Sequence, residues 1–200
     1  MIADALLSAL LNCLLLAGIP FGIYFLVQSR KHGRKLPEIA ARAGLTVGES
    51  KYVVYCLVPA ALTVVALLVW PPDIETVTGE GSAWTDFVGL GIGFNSVLLA
   101  LTYGVLKTGF PEELLFRGLI AGSLSRRLSL WPANLIQAGI FLAPHLILLA
   151  VMPDAWPVLI LIFVGALYVG WIRIASGSIL GPALFHAIAN MTMALIVAAG

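Results

Sequence analysis

Hydrophobic positions along this chain come in long unbroken blocks. Residues 5–27, 52–70, 87–106, 128–153, 155–172 and 174–200 contain no Asp, Glu, Lys or Arg. A helix of about 20 mostly apolar residues crosses the hydrocarbon core of a bilayer, so each block is long enough, or nearly so, to span it. Lipid offers the backbone no hydrogen-bond partners, so spanning segments are helices or strands of a closed barrel. Barrel strands read as short alternating segments, whereas these blocks are continuous and rich in Leu and Ala. The pattern predicts an all-α fold, a polytopic bundle of transmembrane helices forming one domain over residues 1–200.

The polar stretches between blocks set the expected topology. Arg30, Lys31, Arg34, Lys35, Arg42 and Lys51 fall in the loop 28–51, while the loop 71–86 carries Asp73, Glu75, Glu80 and Asp86 and no base. Basic loops stay in the cytoplasm, so 28–51 is expected inside, and 71–86 and the N-terminus outside. Within 36–46, Leu36, Ile39, Ala40 and Ala43 share one helical stripe, Glu38 and Arg42 are spaced to pair, Pro37 suits a first turn and Gly44 a stop. This reads as an amphipathic helix on the cytoplasmic membrane surface, with a solvated connector as the alternative. Pro71-Pro72, Gly79 and Gly81 make the second loop irregular and exposed.

Composition agrees and adds exclusions. The chain is 60% hydrophobic and 10% charged, against about 25% charged in globular proteins. Its net charge of +1 points to no partner beyond the bilayer. The basic cluster is short and abuts a span, so nucleic acid is not expected. Residues 1–27 lack the basic start of a signal peptide and read as a retained span. Cys13 and Cys56 lie in apolar blocks as buried thiols, with no disulfide framework and no metal spacing.

The segment 109–127 is different. Gly109-Phe110-Pro111-Glu112-Glu113 has the features of a helix start: Pro in the first turn and two acids where the dipole favours them. An ionisable residue inside a membrane is a functional candidate by default, and here these are Glu112, Glu113, Arg117, His145 and His186. Glu113 and Arg117 are i, i+4 with the acid first, so they are expected to pair. Glu112 lies about 100° around the helix and is not consumed by that pair. Phe141 and His145 share one face of a second helix, where Pro144 opens the backbone ladder. His186 and Asn190 share one face of a third. Taken singly, each histidine or Asn190 suits a helix–helix hydrogen bond. The whole set, within one otherwise apolar stretch of chain, asks for chemistry.

Glu112-Glu113-Leu114-Leu115-Phe116-Arg117 followed by Gly118, then Phe141-Leu142-Ala143-Pro144-His145, then His186-Ala187-Ile188-Ala189-Asn190, together resemble the three motifs of the CPBP family. That family comprises CAAX-type prenyl endopeptidases and bacterial relatives associated with bacteriocin processing or self-immunity. The resemblance covers residues 109–195, the expected catalytic core; residues 1–108 match no motif. It implies a glutamic intramembrane protease with no metal and no cofactor, acting on a membrane-associated peptide or protein. It further implies that Glu112 and His145 activate water, with Glu112 as general base, and that His186 and Asn190 stabilise the oxyanion. Glu113, Arg117 and Phe141 are expected to support the site. A bacterial plasma membrane, with the site toward the cytoplasm, is the expected location.

The chemistry is reasonable on its own terms. A carboxylate in low dielectric is a better base near neutrality than one in water, and no Ser or Cys is spaced as a nucleophile for these histidines. Two other classes use the same residues. A zinc protease would bind metal through His, His and Glu, but the chain lacks His-Glu-x-x-His. A transporter, scaffold or immunity protein would use the buried charges as a path or a contact.

Depth sets the span count. Glu112 opens its helix in this reading, whereas His145 lies near the end of 128–153. They meet only if 109–127 crosses the membrane and the next helix returns antiparallel. About seven spans are therefore expected, against six from hydropathy alone. The C-terminus then lies inside, and Arg126, Arg127 and Arg173 lie outside.

Overall fold

The computed structural model describes residues 2–79 and 82–200, which are helical with no strand among them. In order they form α1 (Ile2–His32), the short α2 (Leu36–Arg42), α3 (Ser50–Val69), the short α4 (Ile74–Val77), α5 (94–124), α6 (Leu130–His145), the short α7 (Leu148–Val151), α8 (Trp156–Ser176) and α9 (Leu180–Ala199). Five stretches, Ile2–His32, Ser50–Val69, Leu130–Ala150, Pro153–Ser176 and Leu180–Ala199, are long and apolar enough to cross a membrane. Their outward side chains are apolar: Leu62 is 65% exposed and Leu161 71%. Water-soluble monomers rarely present such a surface; lipid solvates it. The chain is an integral membrane protein, and the all-α polytopic bundle holds.

The expected reversal before Pro111 is absent, because 94–124 is one unbroken helical run. Proline normally breaks a helix by removing a donor and crowding the preceding turn. Here the backbone on both sides is π-helical: the Phe110 N–H reaches the Val105 carbonyl, and the Gly122 N–H reaches that of Arg117. The Lys107 carbonyl, four residues before the proline, instead accepts from Asn12 Nδ2 of α1 at 2.5 Å. A neighbouring helix has taken over the bond that Pro111 cannot make. Pro59 in α3 is treated alike, the Tyr55 carbonyl four residues earlier accepting from the Tyr168 hydroxyl at 2.5 Å.

With α5 continuous, the described residues form six long runs between two ends of the bundle, not seven. At the basic end, the Ile179 N–H donates to the Gly44 carbonyl at 2.9 Å, and Arg173 and Arg126 both donate to the Arg42 carbonyl. At the acidic end, Phe87, Leu99, Ala100, Ala194, Val197 and Ala198 form one core with Ile2 and Ile74 against it. Both termini therefore share the acidic end. Arg126, with Arg127 beside it, and Arg173 lie with the basic loop, not opposite it.

Two loop expectations also change. The helix in 36–46 stops at Arg42 and packs one face into the bundle: Ile39 and Ala43 are 0% exposed, Leu36 stays 57% exposed, and a Cβ on Gly118 would stand 2.5 Å from the Ala43 carbonyl. Glu38 pairs with Arg34 at 2.7 Å and not with Arg42. In the acidic loop 71–86, Ile74, Val77 and Trp84 are partly buried against the core that Phe87 joins, while no other described residue of the loop is buried. Gly81 lies outside the described residues.

Candidate active site

Three helices bring the candidate residues together. α5 supplies Glu112, Glu113 and Arg117, α6 supplies Phe141 and His145, and α9 supplies His186 and Asn190. Small residues set the approach of α9 to α5. A Cβ on Gly104 would stand 2.6 Å from Met191 Cγ and 2.9 Å from the Ala187 carbonyl, and one on Gly109 would meet Ala187 and the Gly104 carbonyl. Glycine at these points lets the backbones touch, which is how membrane helices pack closely. His186 and Asn190, flanking that contact, then face α5.

Glu113 is the hub of the polar contacts. Its Oε1 accepts from Arg117 Nη1 at 2.9 Å and from His186 Nδ1 at 3.0 Å. Glu113 and Arg117 are each 1% exposed. The expected acid–arginine pair is present, and a second bond to His186 is added to it. An ionised carboxylate only accepts, so His186 Nδ1 carries the proton, and Nε2 donates only when the ring is an imidazolium. That Nε2 lies 3.9 Å from Glu112 Oε2, with the two side chains 18% and 17% exposed. Glu112 is thus reachable where Glu113 is sealed.

His145 is oriented in the same manner. Its Nδ1 lies 2.8 Å from the Phe141 carbonyl, which only accepts, so Nε2 of the neutral ring is left as an acceptor. His145 is within electrostatic reach of Glu112. Phe141 packs between the charged groups: Arg117 Cζ stands 4.0 Å from its ring centroid, with the His145 ring at 4.7 Å and the His186 ring at 6.3 Å. An aromatic face attracts a guanidinium, so Phe141 is a second contact for Arg117 beside Glu113.

Asn190 donates through Nδ2 to Thr108 Oγ1 at 2.8 Å, and Thr108 donates to the Tyr103 carbonyl at 3.0 Å. Thr108 was not among the expected residues. It lies one turn before Glu112, on the same stripe of α5, and a search restricted to ionisable groups passes over it. Asn134 and Gln137 were also passed over; both are 0% exposed and tie α6 to the Leu167 and Ala166 carbonyls of α8. Among the described residues no group of three or more His, Cys, Asp and Glu side chains is placed to hold a metal ion.

A helical membrane bundle with a carboxylate–histidine cluster at its centre defines the class. Residues 94–192 match the family model of the type II CAAX prenyl endopeptidase Rce1-like proteins, a stretch that opens with α5 and closes just past Asn190. The chain belongs to that protease family. No curated protein and no solved structure matches it.

Proposed function

We propose that the chain is an intramembrane endopeptidase of the glutamic type, hydrolysing a peptide bond in a membrane-associated peptide or protein. The observation that carries this reading is the meeting of one accessible carboxylate with two imidazoles from separate helices, Glu112 Oε2 standing 3.9 Å from His186 Nε2 with His145 nearby. Glu113 is taken up by Arg117 Nη1 and His186 Nδ1, whereas Glu112 makes no hydrogen bond to another side chain among the described residues and only approaches His186.

In this mechanism Glu112 takes a proton from a water that His145 Nε2 helps to orient. The resulting hydroxide adds to the scissile carbonyl. The oxyanion receives Nε2–H of the imidazolium of His186 and the second amide hydrogen of Asn190, the first being held by Thr108. As the tetrahedral intermediate collapses, the C–N bond breaks and Glu112 passes its proton to the leaving amine. One oxyanion donor is worth about 2.7–4 kcal/mol by mutagenesis. The basic end is assigned to the cytoplasm, since basic loops are retained there, with a bacterial plasma membrane as the setting.

Comparative mass spectrometry of membranes carrying the parent or Glu112→Gln tests this. Cleaved peptides are expected with the parent alone, and His145→Ala should match Glu112→Gln. Asn190→Ala should keep residual turnover, lower by about 10²–10³. Near-normal cleavage by Glu112→Gln would sink the mechanism.

A further inference from the structure

The arginines at the basic end are not accounted for by the catalytic cluster. Arg173 is 5% exposed, yet its partner is a backbone carbonyl, that of Arg42, accepting from Nη2 at 2.9 Å. Arg126 Nη1 donates to the same carbonyl at 3.4 Å, and its Nη2 to the Tyr24 hydroxyl and Ser123 Oγ, both at 3.0 Å. Arg126 is also within electrostatic reach of Arg34, Arg42, Arg127 and Arg173. The fold makes room for this crowding. Gly44, at φ 79°, and Gly122 would each place a Cβ within 3 Å of the Arg173 guanidinium, at 2.7 and 2.9 Å.

The charge does not balance. The Arg42 carbonyl ends α2, and a helix C-terminus is worth about half a negative charge. Arg126 and Arg173 bring two full positive charges to it, and the Arg42 guanidinium adds a third close to Arg126. The carboxylates of the adjoining loop are committed elsewhere, Glu38 to Arg34 and Glu49 to Lys51, both at 2.7 Å. Nε of Arg42 and Nε of Arg173 are buried with no hydrogen-bond partner among the described residues. Buried donors of this kind are costly unless paired, and guanidinium forks match phosphate oxygens.

We propose that Arg42, Arg126 and Arg173 form a phosphate-binding site, filled at this end of the bundle by the headgroup of an anionic lipid. Basic pockets between membrane helices are suited to such headgroups. The site is separate from the catalytic cluster and stands whether or not the chain cleaves peptides.

The test is native mass spectrometry and thermal melting of the purified chain in neutral detergent, titrated with phosphatidylglycerol, phosphatidylcholine or inorganic phosphate at equal phosphate. Phosphatidylglycerol should remain bound at one per chain and raise the melting temperature; the other two should do neither. Each base near an anionic surface counts for about fivefold in affinity, so R42Q/R126Q should bind phosphatidylglycerol about 25-fold more weakly. The exposed charges Arg30 and Lys31 are the control: R30Q/K31Q removes the same charge from the same end and should keep the bound lipid. Equal binding of both lipids, equal loss in both double variants, or undiminished binding in R42Q/R126Q would overturn the site. Inorganic phosphate acting as strongly as phosphatidylglycerol would overturn the headgroup as its source.

Discussion

Replacing Glu113 by Gln keeps the shape of the side chain and removes its charge. In the parent, Oε1 joins Arg117 at 2.9 Å to His186 at 3.0 Å, with acid and arginine both 1% exposed. Without the carboxylate, Arg117 is a buried charge left with the face of Phe141, 4.0 Å from its Cζ. That contact is present in the parent too, so it offsets nothing new. Removing one partner of a buried pair costs about 3–5 kcal/mol, and Glu113→Gln should melt earlier in detergent by a corresponding amount. Removing both charges is a different matter, since apolar replacement of a whole buried pair is often neutral. E113Q/R117M should therefore recover most of the loss, giving a coupling energy of about 2 kcal/mol or more. Cleavage should not recover with it. The substituted amide presents an NH2 as well as an oxygen to His186, so it no longer fixes the ring orientation that the proposed oxyanion contact needs. Equilibrium unfolding of the four proteins measures the first effect, and turnover of one substrate measures the second. Coupling within about 0.5 kcal/mol of zero would refute the pair as a stabilising unit. Restored cleavage in the double variant would refute the role of Glu113 in holding His186.

Thr108→Val frees the Asn190 amide from its 2.8 Å anchor, so kcat should fall toward that of Asn190→Ala with KM little changed, and Thr108→Ser should restore it; equal kcat for Val and Ser would remove Thr108 from the site. Gly109→Ala drives a methyl into the Gly104 carbonyl and Ala187, and overpacking of this kind costs about 1–3 kcal/mol. Melting should drop accordingly and cleavage should drop further, as α9 is pushed off α5; a parent-like protein would mean the contact is loose. In a chain lacking Cys13 and Cys56, single cysteines at Lys35 and Ser129 should react with an impermeant thiol reagent from one side and a cysteine at Ala199 from the other, whereas Lys35 labelling with Ala199, and Ser129 from the opposite side, would restore the seven-span arrangement.

The helical class, the motif residues and the polarity of the loops were legible because each is a local or compositional property. Long blocks without charge leave a lipid-embedded backbone few forms to adopt, and the three motifs sit on three helices as their spacing required. The continuity of α5 was not legible, and the reason is specific to Pro111. In water a proline followed by two acids marks a helix start. In this bundle the bond it forfeits is supplied by Asn12, 95 residues from the carbonyl it meets, and no window around 111 contains that information. Charge asymmetry pointed the other way from the start: a seven-span chain strands Arg126, Arg127 and Arg173 on the side away from the basic loop, at about 1 kcal/mol each. With α5 unbroken those arginines rejoin the basic end, and the conflict disappears. The same change moves Glu112 from a helix terminus to the middle of a helix, about 18 Å from the end of α5 at about 1.5 Å per residue. A terminal Glu112 would have drawn about 0.3–1 kcal/mol from the helix dipole. A central one has no such support, and the groups that face it are side chains alone: His186, His145 and Arg117. The local reading of 109–113 as a capped helix start therefore fails, because Asn12 of α1 fills the gap left by the proline and Glu112 stays within a continuous helix.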